Sequence, residues 1–71
     1  MSRMEGSVKW FSAEKGWGYI TGDDQVDYHV HYTAIQSSGF RELEKGEKVS
    51  FAPVQTPRGL GAIEVRKMRS D

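Results

Sequence analysis

Five short stretches of the chain alternate between hydrophobic and polar residues, the period-two pattern that predicts β-strands. They lie at about residues 6–12, 17–21, 28–32, 48–54 and 61–68. Glycine, proline and aspartate mark the turns between them, and no stretch shows helical periodicity for longer than one turn. The pattern therefore predicts an all-β domain, built as a barrel or a sandwich.

The alternation also predicts which side chains enter the core. The aliphatic residues that can fill a small barrel are Val8, Ile20, Val30, Val49, Ile63 and Val65. The opposite positions on the first three strands carry large or basic side chains, namely Lys9, Phe11, Trp17, Tyr19, His29 and His31. Because neighbouring strands of a meander pair, these six side chains are expected on one exposed surface. Strict alternation places Trp10 on the inner side, with Val8.

The charge balance argues against a ligand held by phosphate contacts alone. The 71 residues include 10 Lys and Arg, 10 Asp and Glu, and no cysteine, which excludes a polycationic binder, a disulfide scaffold and thiolate chemistry. Residues 1–35 hold three basic and five acidic side chains, so the half with the predicted aromatic surface is slightly acidic. The sequence has no apolar run of membrane-spanning length and no signal-peptide pattern, which predicts a cytoplasmic protein with no membrane partner.

A cluster of exposed aromatic side chains normally marks a binding site. Aromatic rings that stack on nucleic-acid bases stabilise by about 1–3 kcal/mol per base and need no excess positive charge. Gly16 and Gly18 flank Trp17 and leave its ring open to a flat base. The pattern favours single-stranded nucleic acid as the ligand, and an interface with another protein or a second copy of the chain is the alternative.

The residues offer little support for a metal site or an active site. His29 and His31 form a His-x-His pair near Asp27, but cysteine is absent and no third protein ligand is evident. The acidic residues and histidines have no neighbouring nucleophile, and a barrel of this size offers no deep pocket that would exclude water. We expect no cofactor, no bound metal and no enzymatic activity.

Several motifs give the chain a resemblance to a known family. Residues 15–20, Lys-Gly-Trp-Gly-Tyr-Ile, resemble the first RNP-type motif of cold-shock domains, and residues 28–32, Tyr-His-Val-His-Tyr, resemble the second. The opening Gly-Ser-Val-Lys-Trp-Phe at 6–11 is also similar to the family pattern. The resemblance implies one cold-shock domain over residues 1–71, with its core at about 5–68, folded as a five-stranded antiparallel Greek-key OB-fold barrel.

The resemblance also implies a surface that binds single-stranded RNA and DNA. Carried over by position, this surface comprises Lys9, Trp10, Phe11, Lys15, Trp17, Tyr19, His29, His31, Tyr32, Phe40 and Arg58. Phe40 and Arg58 rest on the resemblance alone, and Trp10 fits only if strand curvature or a bulge turns its ring outward. Such a protein acts as an RNA chaperone in gene regulation or in a stress response. We expect a monomer, and a dimer formed by strand exchange remains an alternative.

The chain departs from the family pattern in three places, namely the last hairpin loop at residues 56–60, which Pro57 stiffens, and the positions of His29 and Tyr28. His29 stands where the family usually has phenylalanine, which makes one stacking ring smaller and titratable. Tyr28 replaces a small aliphatic residue that would face the interior, so its hydroxyl needs a partner or its ring must tilt to the rim. Protonation of His29 or His31 is expected to tighten binding below about pH 6.

Overall fold

A closed barrel of five strands forms the protein. Residues 3–36 and 43–68 are described in the computed structural model of the chain. The strands are β1 (Met4–Ser12), β2 (Trp17–Gly22), β3 (Asp27–His31), β4 (Lys48–Thr56) and β5 (Gly59–Lys67), and a 3-10 turn, Tyr32–Ala34, follows β3. They close in the order β1-β2-β3-β5-β4, which confirms the predicted five-stranded barrel. One strand pair differs from the predicted antiparallel barrel, because β3 and β5 pair in parallel.

The buried side chains come from all five strands and from the segments between β3 and β4. Five of the six predicted core residues are buried, namely Val8, Ile20, Val30, Val49 and Val65. The core also includes Tyr28, Ile35, Leu43, Phe51 and Ala62. Phe51 is the largest fully buried side chain among the described residues, and it fills the interior together with aliphatic side chains such as Ile20, Ile35 and Leu43.

The buried position of Tyr28 requires a hydrogen-bond partner for its hydroxyl group, and Asp24 is that partner. Its ring is buried and packs against Phe51 with the ring centroids 5.1 Å apart. Its hydroxyl donates a hydrogen bond of 2.6 Å to a carboxylate oxygen of Asp24 in the turn between β2 and β3. This bond to a carboxylate raises the pKa of the Tyr28 hydroxyl. The phenol therefore has both an apolar environment for its ring and a partner for its polar end.

A β-bulge in β1 corrects the predicted orientation of two aromatic residues. Val8 pairs with Ile20 and Trp10 pairs with Tyr19, so that Lys9 is one residue more than the partner strand has. A bulge reverses the alternation beyond it. Trp10, predicted on the inner side by strict alternation, is 37% exposed. Phe11, predicted on the outer side, is half-buried and packs against the core.

A second bulge explains why Ile63 is not in the core. Ser50 pairs with Arg66 but Ala52 pairs with Ile63, so two residues of β5 lie opposite Phe51. The alternation is interrupted there, and Ile63 is 40% exposed. Glu64, beside it, has a φ of 51°, which is in the left-handed region.

The side chain of Arg3 bonds to this irregular segment. Its guanidinium donates to the Glu64 carbonyl oxygen at 2.7 Å and to the Ser50 hydroxyl at 3.0 Å. It also lies 3.3 Å from the Glu64 carboxylate. These bonds join the beginning of β1 to both β4 and β5, across the bulge.

Gly18 allows β1 and β2 to approach each other closely. A Cβ atom at this position would overlap the carbonyl oxygen of Trp10 and would lie 2.6 Å from the Cα atom of Phe11. A larger residue would therefore push the two strands apart at the bulge.

Within residues 3–36 and 43–68, no helix has the length and apolar character needed to cross a bilayer.

Candidate nucleic-acid interface

Four rings from β1, β2 and β3 form one continuous surface, which we call the aromatic platform: Trp10, Trp17, Tyr19 and His29. The centroid of Trp17 lies 5.0 Å from that of Trp10, 6.0 Å from that of Tyr19 and 5.5 Å from that of His29. Trp10 and Tyr19 are 5.7 Å apart. The bulge at Lys9 completes the platform, because it turns Trp10 towards the other three rings.

Two further rings follow the platform at the end of β3. His31 and Tyr32 have centroids 4.8 Å apart, and Tyr32 is 44% exposed. The Nδ1 atom of His31 accepts a hydrogen bond from the Thr33 backbone N–H and lies 2.9 Å from the Thr33 hydroxyl. The Tyr32 ring lies over Gly16, whose φ of 82° favours glycine. The second pair of rings is thus fixed by the 3-10 turn and by the β1–β2 turn.

Lys9 is not a free cation at the edge of the platform. Its Nζ atom lies 2.7 Å from Asp27, with which it forms an ion pair between exposed side chains. The Thr21 hydroxyl donates to the second carboxylate oxygen of Asp27. The hydrogen bonds from Lys9 and Thr21 lower the pKa of the Asp27 carboxyl group, so it is ionised at neutral pH.

The turn between β4 and β5 adds a cation beside His29. Arg58 lines a groove of about 250 Å³ together with Trp17, Tyr19, Asp27, His29 and Leu60. It also lines a neighbouring groove of about 480 Å³ together with Trp17, His29, His31, Thr56 and Pro57. Burial, the Arg58 charge and the neighbouring His31 lower the pKa of His29. The imidazole of His29 is therefore neutral at physiological pH.

The structure brings most of the predicted site residues together. The aromatic platform, the His31–Tyr32 pair, Lys9 and Arg58 share one face, and Lys15 is exposed in the turn before Trp17. Phe11 presents only part of its ring. Phe40 lies outside the described residues. Sequence reasoning did not assign Leu60 to this face, although its position beside the predicted β4–β5 turn was a signal.

The surroundings of the two histidines bear on the His-x-His pair that the sequence contains. No group of three histidine, cysteine or acidic side chains with metal-binding geometry occurs within 3–36 and 43–68. Asp27 is already bonded to Lys9 and Thr21, and Arg58 places a positive charge beside His29. A divalent cation would meet repulsion rather than a third ligand at this position.

The amino-acid sequence matches known proteins over almost its whole length. The sequence model of the 'Cold-shock' DNA-binding domain matches residues 4–68. The chain belongs to the cold-shock domain family. Cold shock protein CspC of Bacillus subtilis is 51% identical over 63 residues, which cover 89% of this chain and 96% of that protein. Cold shock protein 1 of Lactiplantibacillus plantarum is 52% identical over 60 residues, 84% of this chain and 91% of that protein.

Solved structures show the same fold. The structure titled drosophila Unr CSD456 superposes with a TM-score of 0.80 at 20% identity. The match covers 99% of this cold-shock chain and 28% of the longer Unr chain, so it supports the architecture only. The family assignment makes this a nucleic-acid-binding protein, and the aromatic platform lies on its exposed face.

Proposed function

We propose that this cold-shock protein binds single-stranded RNA and DNA with little sequence preference and acts as an RNA chaperone. The observation that supports this most strongly is the aromatic platform, in which the centroid of each of four rings from three strands lies within 6.0 Å of at least two of the others. Every base has a π-face, so stacking on such rings tolerates any sequence. Bases within a duplex present their faces to one another, which makes the platform selective for unpaired strands.

The proposed contacts divide into two chemical groups. Bases stack on the platform and on the His31–Tyr32 pair, with Phe11 contributing the exposed part of its ring and Phe40 proposed to extend the track. Phosphates are contacted at the margins by Lys9, Lys15 and Arg58, of which Lys9 must first leave its ion pair with Asp27. Stacking therefore supplies most of the affinity, and electrostatic attraction supplies less.

Chaperone action follows from selective binding. A protein that binds the open form of an RNA hairpin but not the closed form shifts the equilibrium towards the open form by mass action. This mechanism needs no nucleotide hydrolysis and no metal. We propose a binding rather than a catalytic role, in the cytoplasm, where unpaired segments of transcripts are the available targets.

Tryptophan fluorescence provides a direct test, because both tryptophans of the chain belong to the platform. Addition of oligo-dT should quench the emission, and a duplex of equal length should change it little. A labelled RNA hairpin should open in the same concentration range. Absence of quenching by oligo-dT would contradict the proposal.

Self-association needs a separate control, because a second copy on the platform would also change the fluorescence. The mass in solution should stay near 8.0 kDa at the concentrations of the titration. A dimer that dissociates when oligo-dT is added would place the platform in a protein interface. A dimer that still binds oligo-dT would instead leave the platform free, as strand exchange does.

A further inference from the structure

The groove of about 480 Å³ between β3 and the β4–β5 turn is lined mainly by basic and uncharged polar side chains. Its lining includes Arg58, His29 and His31 but no carboxylate. The ring of Trp17 forms part of the same groove. A groove lined by a guanidinium, two imidazoles and an aromatic ring suits an anion attached to a stacking group.

Two of these polar side chains have no bond that occupies them. Among the hydrogen bonds and ion pairs within 3–36 and 43–68, none involves the imidazole of His29 or the guanidinium of Arg58. The third, His31, uses Nδ1 to accept from the Thr33 backbone. Its Nε2 atom has no hydrogen bond within the described ranges and is the ring nitrogen that is open to a ligand.

We propose that this groove binds one phosphate group of the single strand between Arg58, His29 and His31, and that His29 takes up a proton when the phosphate enters. The inference rests on the proposed function, since it identifies a phosphate subsite next to the base that stacks on Trp17. It also gives the imidazole at position 29 a role that a phenylalanine cannot perform.

The charges around His29 set the direction of the proton transfer. Arg58 faces it from the β4–β5 turn, Asp27 and His31 flank it on β3, and Tyr19 contacts it from β2 at a centroid distance of 5.7 Å. The Asp27 charge is offset by the ion pair with Lys9 on β1. An entering phosphate neutralises Arg58 and adds negative charge, and both effects favour the imidazolium.

The sign of the pH dependence follows from this arrangement. In the free protein the pKa of His29 is below its ordinary value of 6.5. A bound phosphate raises it, so binding takes up a proton only at a pH between the free and bound pKa values. Affinity should therefore increase as the pH falls from about 7.5 to about 5, by about two- to fivefold, the range of a partly exposed ion pair.

Oligo-dT strands that each carry one neutral methylphosphonate linkage test the site. Affinity is measured by tryptophan quenching at about pH 5 and about pH 7.5. One linkage position should lose the pH dependence while the other positions keep it. Strands with and without a 5′-terminal phosphate show whether the occupant is a terminal or an internal phosphate.

Variants separate the roles of the side chains. His29→Phe keeps a stacking ring and should bind at about pH 7.5 but show a smaller pH dependence than the native protein, whereas the remote Lys67→Gln should leave the pH dependence unchanged. Arg58→Gln should weaken binding of the unmodified strand and make it insensitive to the critical methylphosphonate. Unchanged pH dependence in His29→Phe, or no sensitive linkage in a strand that binds, would overturn the phosphate site alone. Absence of quenching by any strand would overturn the proposed function and the phosphate site together.

Discussion

Asp27 controls how much of the positive charge near the platform is available to a ligand. Its carboxylate holds the Lys9 ammonium group at 2.7 Å, and the Thr21 hydroxyl holds its other oxygen at 3.0 Å. Replacement by asparagine keeps an oxygen for the Thr21 bond but removes the charge that pairs with Lys9. We therefore expect Asp27→Asn to release one cation for a phosphate contact.

The salt dependence of binding measures this release. Each phosphate contact on a single strand contributes about −0.7 to the slope of log K against log salt concentration. Of the three cations proposed to contact phosphates, Lys15 and Arg58 have no ion pair within the described ranges, which predicts a slope of about −1.4 at about pH 7.5. The variant adds Lys9, and the predicted slope becomes about −2.1.

Fluorescence titrations with oligo-dT at several salt concentrations give both slopes. Asp23→Asn is the matched control, because it removes an exposed carboxylate from the β2–β3 turn without touching Lys9. Its slope should equal that of the native protein. Equal slopes for the native protein and Asp27→Asn would refute the assignment of Lys9 as a restrained cation. A native slope steeper than about −3 would refute the stacking mode itself.

Three further predictions concern the platform and the core. Trp17→Ala should weaken binding of oligo-dT by about five- to 150-fold, because one base loses its stacking partner, whereas Lys67→Ala should change the affinity little. Fluorescence titrations compare the two variants, and a larger loss in Lys67→Ala would mean that the end of the chain holds the ligand. Gly18→Ala should destabilise the barrel by about 1–3 kcal/mol in urea unfolding, and an unchanged midpoint would contradict the close approach of β1 and β2. Tyr28→Phe should cost about 1 kcal/mol and lower the Tm by about 4–8 °C, because the bond to Asp24 is lost. Asp24→Ala should cost at least as much, because it also removes the bond from the Val26 backbone N–H, and no loss in either variant would refute the pairing.

The regular parts of the barrel could be predicted from the sequence because period-two alternation is a local property. Val8, Ile20 and Val30 are each the inward residue of a short strand, and each is buried. Alternation fails where a strand gains a residue. Neither bulge has a sequence signal strong enough to locate it, so Phe11 was predicted to face outward and Ile63 to face inward.

The candidate site was predictable to the extent that it lies on regular strands. Trp17, Tyr19 and His29 follow from register alone. The position of Arg58 beside His29 depends on how the β4–β5 turn folds over the β3–β5 seam, which is a tertiary contact between distant segments. The ion pair of Lys9 with Asp27 likewise joins two strands, β1 and β3, that lie on either side of β2, and local patterns carry no information about it.

The extra residue in β1 determines part of the ligand surface. Because Lys9 is the extra residue, two neighbouring side chains, Lys9 and Trp10, both face outward at one point. Deletion of Lys9 would restore strict alternation, with Val8 and Phe11 still facing the interior and Trp10 still facing outward. The extra residue therefore adds a cation to the ligand surface without changing which side of the sheet the neighbouring rings face. Loss of the bulge without loss of a residue would instead turn Trp10 into the interior and Phe11 outward.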